Sequence, residues 1–149
     1  MATVHHNLSN FNPNEMPDAS GMKVGIVVAE WNQEITSNLL KGAINTFVEV
    51  GVKAENILVN HVPGSFELAL GAQLQLENTD VEGVVVLGSV IQGETRHFEF
   101  VCQAVAMGVK DLNLKYSKPV IFGLLTDDTL QQAIDRSGGK HGNKGTECA

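Results

Sequence analysis

Cysteine is scarce in this chain. Only Cys102 and Cys148 are present, far apart, and neither belongs to a CxxC pair or to a Cys/His cluster of zinc-ligand spacing. That leaves no basis for a disulfide framework or a metal centre, and a reducing cytoplasm is the expected setting. Cationic side chains are outnumbered, 10 Lys plus Arg against 17 Asp plus Glu, for a formal net charge of -7. With no basic run and no aromatic-basic interleaving, nucleic acid is not an expected partner. No apolar run reaches the length of a membrane span, and residues 1–20 lack the hydrophobic segment of a signal peptide. Also missing are a Ser-centred elbow, an HExxH helix and a GxGxxG loop, so three common catalytic frames do not apply.

What the chain does have is short blocks of branched aliphatic residues. At 149 residues and 43% hydrophobic it suits one compact α/β domain. Residues 1–20, rich in Asn, Pro and Ser without periodicity, read as a flexible N-terminal arm that moves unless a neighbour holds it. His5 and His6 there read as surface or tag-like residues rather than metal ligands. From Lys23 the pattern changes: KVGIVVA at 23–29, NILVNHV at 56–62, GVVVLGSVI at 83–91 and PVIFGLLT at 119–126 read as four buried strands.

A helical pattern follows each strand. The first is a turn and helix from Glu30 to Gly51, with an apolar stripe of Leu39, Leu40, Ala43, Ile44, Phe47 and Val48. The second is SFELALGAQLQLEN at 65–78, and the third runs from about His97 to Leu114 with Phe98, Val101, Cys102, Val105, Val109 and Leu112 inward. DDTLQQAIDRSGG at 127–139 reads as a helix capped by Asp or Thr and stopped by glycine, and KHGNKGTECA at 140–149 as the opening of another. Strands alternating with helices predict a parallel sheet covered on both faces, with right-handed crossovers. In such sheets ligands bind beyond the carboxyl ends of the strands.

The segment GVVVLGSVIQGETRHFEF at 83–100 is the most informative. A buried strand ends in a polar loop, and a helix starts at once. Gly93, Glu94 and Thr95 can offer helix-start N–H groups to a phosphate. His97 lies within a turn of them for proton transfer, although a first-turn histidine alone is as readily a surface residue. Trp31, the only tryptophan, stands after strand one, where its ring can lid the core or stack on a flat heterocycle, and Asn32 can cap the helix. After Pro63-Gly64 come Phe66 and Glu67, the latter a capping acid by default and an acceptor for a polyol otherwise. Arg136 is either a cation suited to a helix C-terminus or a guanidinium aimed at the same phosphate as the loop amides. Lys144 in GNKG is a phosphate contact or a solvated charge, and GNKG lacks the makings of a P-loop. Glu147, three residues on, can orient His97, while Cys102 reads as core.

Taken in order, AEWN at 29–32, VPGSFEL at 62–68, GSVIQGETRHFEFV at 88–101, PVIFGLLT at 119–126, QAIDRSG at 132–138 and GNKGTECA at 142–149 resemble the 6,7-dimethyl-8-ribityllumazine synthase family, from about Lys23 to the last residue. The resemblance implies a flavodoxin-like three-layer α/β/α sandwich with a four-stranded parallel sheet. It implies condensation of 5-amino-6-(D-ribitylamino)uracil with 3,4-dihydroxy-2-butanone 4-phosphate, the penultimate step of riboflavin biosynthesis, without a cofactor or metal. By position, Trp31 and Asn32 would meet the pyrimidinedione, Ser65, Phe66 and Glu67 the ribityl chain, and the backbone of Val90 and Ile91 the uracil edge. Gly93, Glu94, Thr95 and Arg136 would hold the phosphate, and His97 would transfer protons. Phe122 and Lys144 match residues that the family supplies from an adjacent subunit, so a homo-oligomer, pentamer-based with interface sites, is expected.

Two departures accompany the resemblance. Asp127 stands where many relatives carry Thr, and relatives continue for another helix after GNKGTECA, so the 21–149 domain is expected to lack its final C-terminal helix. Two other readings stay open at this point: a catalytically impaired shell or scaffold protein, and a flavin-type ligand-binding protein on the same fold.

Overall fold

The computed structural model describes residues 7–149, so His5 and His6 lie outside the described residues. The aliphatic blocks form β1 (Val24–Ala29), β2 (Ile57–Val62), β3 (Gly83–Ile91) and β4 (Val120–Asp127). They make one sheet, parallel throughout, in the order β2-β1-β3-β4. The helices are α1 (Gln33–Glu49), α2 (Leu68–Asn78), α3 (His97–Tyr116) and α4 (Leu130–Arg136). After α4 come a small antiparallel hairpin, β5 (Ser137–Gly139) with β6 (Gly142–Asn143), and a short α5 (Lys144–Cys148).

Side chains alternate along a strand, so a continuous apolar run serves both faces of the sheet. Val24, Ile26 and Val28 of β1 join Ile35, Leu39, Ala43 and Phe47 of α1, with Ala133 of α4, in one core. Val27 and Ala29 join Leu68, Ala72 and Leu76 of α2 and Val105, Val109 and Leu112 of α3 in the other. The result is the three-layer α/β/α sandwich of flavodoxin type. The layer of α1 is completed by α5, which approaches so closely that a Cβ on Gly145 would lie 1.9 Å from the Leu39 carbonyl oxygen.

Several local expectations change. Val48 is 50% exposed, and the buried stripe of α1 runs instead from Ile35 and Thr36 through Leu39 and Ala43 to Thr46 and Phe47. Phe98, Val101 and Cys102 are half-buried or partly so rather than core, since the first turns of α3 overhang the end of the sheet. The segment after Arg136 folds as a hairpin instead of a helix end, with Gly138 and Gly142 at φ of 116° and 83°, a region that favours glycine. Of the two cap candidates for α4 the structure selects Thr129, whose Oγ1 accepts from the Gln132 amide at 3.3 Å. The described part of the arm lies against its own domain. Leu8 and Ala19 are buried, Leu8 N donates to His141 O at 2.9 Å, and Asn143 N donates to Ser9 Oγ at 2.8 Å.

Candidate functional site

Because β1, β2 and β3 run parallel, their carboxyl ends meet at one edge, and the segments that leave them enclose a cleft of about 590 Å³. Trp31 and Asn32 enter it from β1, and Pro63 to Glu67 from β2. Ser89, Val90 and Ile91 come from β3, followed by Gly93 and Thr95 of the loop and by His97, Phe98 and Val101 of α3. Two aromatic rings in this lining stay largely open, Trp31 at 73% and Phe66 at 61% exposure. Large apolar surface left uncovered beside polar groups is characteristic of a binding cleft.

Asn32 does not cap α1 with its side chain. It adopts a left-handed backbone conformation, φ 59° and ψ 47°, which turns the amide back toward β3, where Nδ2 donates to Ser89 O at 2.9 Å. Main-chain bonds extend the stitching, with Glu30 N donating to Val62 O at 2.9 Å and Trp31 N to Pro63 O at 3.2 Å. Glu67 behaves as the capping acid: Oε2 accepts from Gly64 N at 3.0 Å and closes the turn before α2. Ser65, in that turn, is buried.

The loop between β3 and α3 is organised by Gln92. Its main-chain N donates to Asp127 O at 2.8 Å, and its Nε2 donates to the Gly93 carbonyl at 2.7 Å. Gly93, Glu94 and Thr95 are exposed at the start of a 20-residue helix, where the peptide dipoles leave partial positive charge. His97 begins that helix, and its backbone N donates to Thr95 Oγ1 at 3.4 Å. The lining therefore brings His97, Gly93 and Thr95 together with Trp31, Asn32, Ser65, Phe66, Glu67, Val90 and Ile91.

Four expected site residues are not in this lining. Glu94 lies on the loop but outside the cleft wall. Phe122, Arg136 and Lys144 belong to the β4 edge and the segments after it. Phe122 packs half-buried against the core beneath α2 and α3. Lys144 Nζ pairs with Glu147 Oε2 at 2.9 Å, so Glu147 serves Lys144 within the chain and is not beside His97 in the cleft. Arg136 Nη1 donates to Gln132 O at 3.0 Å and lies 3.8 Å from Asp127 Oδ1. Sequence reasoning missed Ser89 and Gln92 and assigned Phe98 and Val101 only to the core. The spacing of Val101 from His97, one turn on the same helix face, was the available signal for the last.

Burial perturbs two groups near the β4 edge. Desolvation raises the Asp127 carboxyl above its ordinary value, with the Arg136 guanidinium opposing it. Burial pushes the Cys148 thiol up to about 11, and its Sγ lies 3.8 Å from the Phe122 carbonyl oxygen. Cys102 and Cys148 are both free thiols. Among the described residues no three His, Cys, Asp or Glu side chains gather where they can hold a metal ion, and no helix is long and apolar enough to cross a membrane.

Residues 21–149 match the family model described as 6,7-dimethyl-8-ribityllumazine synthase. A protein of that name from Parabacteroides distasonis is 56% identical over 149 residues, all of this chain and 93% of the relative. One from Flavobacterium johnsoniae is 52% identical over 149 residues, covering 78% of the relative. Another, from Bacteroides fragilis, is 55% identical over 128 residues, 86% of this chain and 90% of the relative.

Proposed function

The chain belongs to the 6,7-dimethyl-8-ribityllumazine synthase family, and we propose that its cleft is where 5-amino-6-(D-ribitylamino)uracil and 3,4-dihydroxy-2-butanone 4-phosphate condense to 6,7-dimethyl-8-ribityllumazine. The family match does not favour the scaffold and flavin-binding readings. One observation carries the placement of the reaction: a helix-start loop, a histidine, an open indole ring and a turn acid line one cleft.

The chemistry distributes itself over that lining. Trp31 stacks on the pyrimidinedione, Asn32 and the backbone of Val90 and Ile91 read its polar edge, and Ser65, Phe66 and Glu67 hold the ribityl chain. The amides of Gly93 to Thr95 hold the phosphate at the positive end of α3. The 5-amino group attacks the ketone, water leaves to give the imine, and phosphate is eliminated. The ribityl-bearing nitrogen then closes the ring with loss of a second water, His97 moving protons at the attack and closure steps. Nucleophile and leaving group both arrive with the substrates, so the reaction needs no cofactor.

Phe122, Arg136 and Lys144 serve the cleft of an adjacent copy. Their position along the β4 edge, away from their own chain's cleft, supports that reading, as does the exposed apolar surface described below. The assembly is a homo-oligomer, pentamer-based, working in the cytoplasm.

The direct test is steady-state turnover of the two substrates, following lumazine and phosphate together. Arg136→Ala is expected to raise KM for the butanone phosphate roughly tenfold or more, the scale of a charge-assisted hydrogen bond. An unchanged KM for that substrate contradicts the phosphate assignment.

A further inference from the structure

We propose that Asp127 is the positioning residue for the Arg136 guanidinium, fixing it for the phosphate of the four-carbon substrate; this rests on the phosphate role given to Arg136 above. Asp127 closes β4 and is 5% exposed. Its Oδ1 lies 3.8 Å from Arg136 Nη1, an ion-pair distance, while Oδ2 has no hydrogen-bond partner among the described residues. A carboxylate held out of water in this way is unfavourable unless a cation compensates it, and Arg136 is the cation at hand.

The bland alternative is an acid that caps α4. That role is filled by Thr129, whose Oγ1 accepts from Gln132 N at 3.3 Å, while Asp128 N donates to Gln132 Oε1 at 2.8 Å. What the Asp127 side chain faces instead is a guanidinium already tied at Nη1 to Gln132 O at 3.0 Å. One anchor from the helix and one from the strand restrict a long side chain that otherwise samples many rotamers. A planar donor group gains its selectivity for phosphate from such orientation. Burial raises the Asp127 carboxyl and Arg136 opposes the rise, as expected of a carboxylate that depends on this cation.

Asp127 also has a second attachment. Its carbonyl accepts from Gln92 N at 2.8 Å, in register with Ile91, at the base of the 93–95 loop. The same residue thereby anchors by its main chain the loop amides of its own cleft and by its side chain the guanidinium that serves a neighbour's.

The test is steady-state kinetics on the full chain for Asp127→Asn, Arg136→Ala and the double variant, with inorganic phosphate as a competitive inhibitor. Asp127→Asn is expected to raise KM for the butanone phosphate roughly tenfold and to weaken phosphate inhibition in parallel. KM for the ribitylaminouracil and kcat stay within about twofold. In the Arg136→Ala background the same substitution adds nothing, since its effect passes through the guanidinium. If Arg136→Ala raises KM but Asp127→Asn leaves it unchanged or lowers it, or raises it equally without Arg136, the positioning role is overturned and the phosphate reading survives. If Arg136→Ala itself leaves KM unchanged, both fall. Asp127→Ala serves as the second variant if the Asn form folds poorly, with the same pattern expected and the same results decisive.

Discussion

His97 begins α3 on the wall of the cleft, and the proposed reaction gives its imidazole the proton transfers. Orienting two small partners is worth an effective molarity of ~10⁵ M or more, whereas one general acid/base contributes about 10²–10⁴-fold. His97→Ala is therefore expected to lower kcat by roughly 10²-fold and still leave measurable turnover; complete loss of product formation in a folded variant contradicts this division of labour. Asp127 allows a test through stability. Its carboxyl is raised above 3.8 by burial, so its favourable contribution is full below the unfolded value and is lost as pH rises through the folded one. Asp127→Asn should gain stability relative to the parent on going from acid to neutral pH, read from denaturation midpoints at both. A pH-independent difference removes the burial-driven shift. At this scale the sequence disclosed which residues stand at the strand ends, since a residue following a buried strand has few other places to be. It could not disclose what Asn32 does: only the left-handed backbone reveals that its amide is turned to Ser89 O rather than to the helix it precedes.

The four strands and the helices between them were legible because β-branched blocks bounded by polar turns have few other foldings, and because continuous apolar character signals burial on both faces. The β5–β6 hairpin was not legible. Its strands are three and two residues long, too short for periodicity, and its glycines read equally well as a helix stop. Two expectations belong to individual elements. A Cβ at position 145 meets the Leu39 carbonyl oxygen of α1, and neither backbone can yield cheaply, so Gly145→Ala should destabilise the fold by about 1–3 kcal/mol. Thr129→Ala removes the side-chain cap of α4 and should cost about 1 kcal/mol. Thermal or urea unfolding of each variant gives the comparison. A Gly145→Ala chain as stable as the parent means that α5 does not pack on α1 as described.

For the molecule as a whole, the uncovered surface is as informative as the core. Phe66, Leu70 and Leu74 form one exposed stripe before and along α2, and Phe100, Met107 and Leu114 another along α3, each residue at least half exposed. Large apolar side chains left open along two helices are the kind of surface that another protein surface covers, which supports the proposed assembly from copies of the chain. The division of the proposed site follows the same line. Residues at the ends of β1, β2 and β3 line the cleft, and those of the β4 edge do not. The family resemblance already set Phe122 and Lys144 apart as residues of an adjacent subunit, but Arg136 was grouped with the loop amides, because order along the chain does not tell which residues share a cavity.

Subunit mixing tests that division. Trp31→Ala/His97→Ala chains carry a damaged cleft and an intact edge; Arg136→Ala/Lys144→Ala chains carry the reverse. If clefts are completed by neighbours, joint refolding of equal amounts of the two should restore about a quarter of parental turnover, the share of sites pairing an intact cleft with an intact edge. Mixed samples no more active than the sum of the two variants alone, although light scattering shows them co-assembled, would mean that each chain completes its own site.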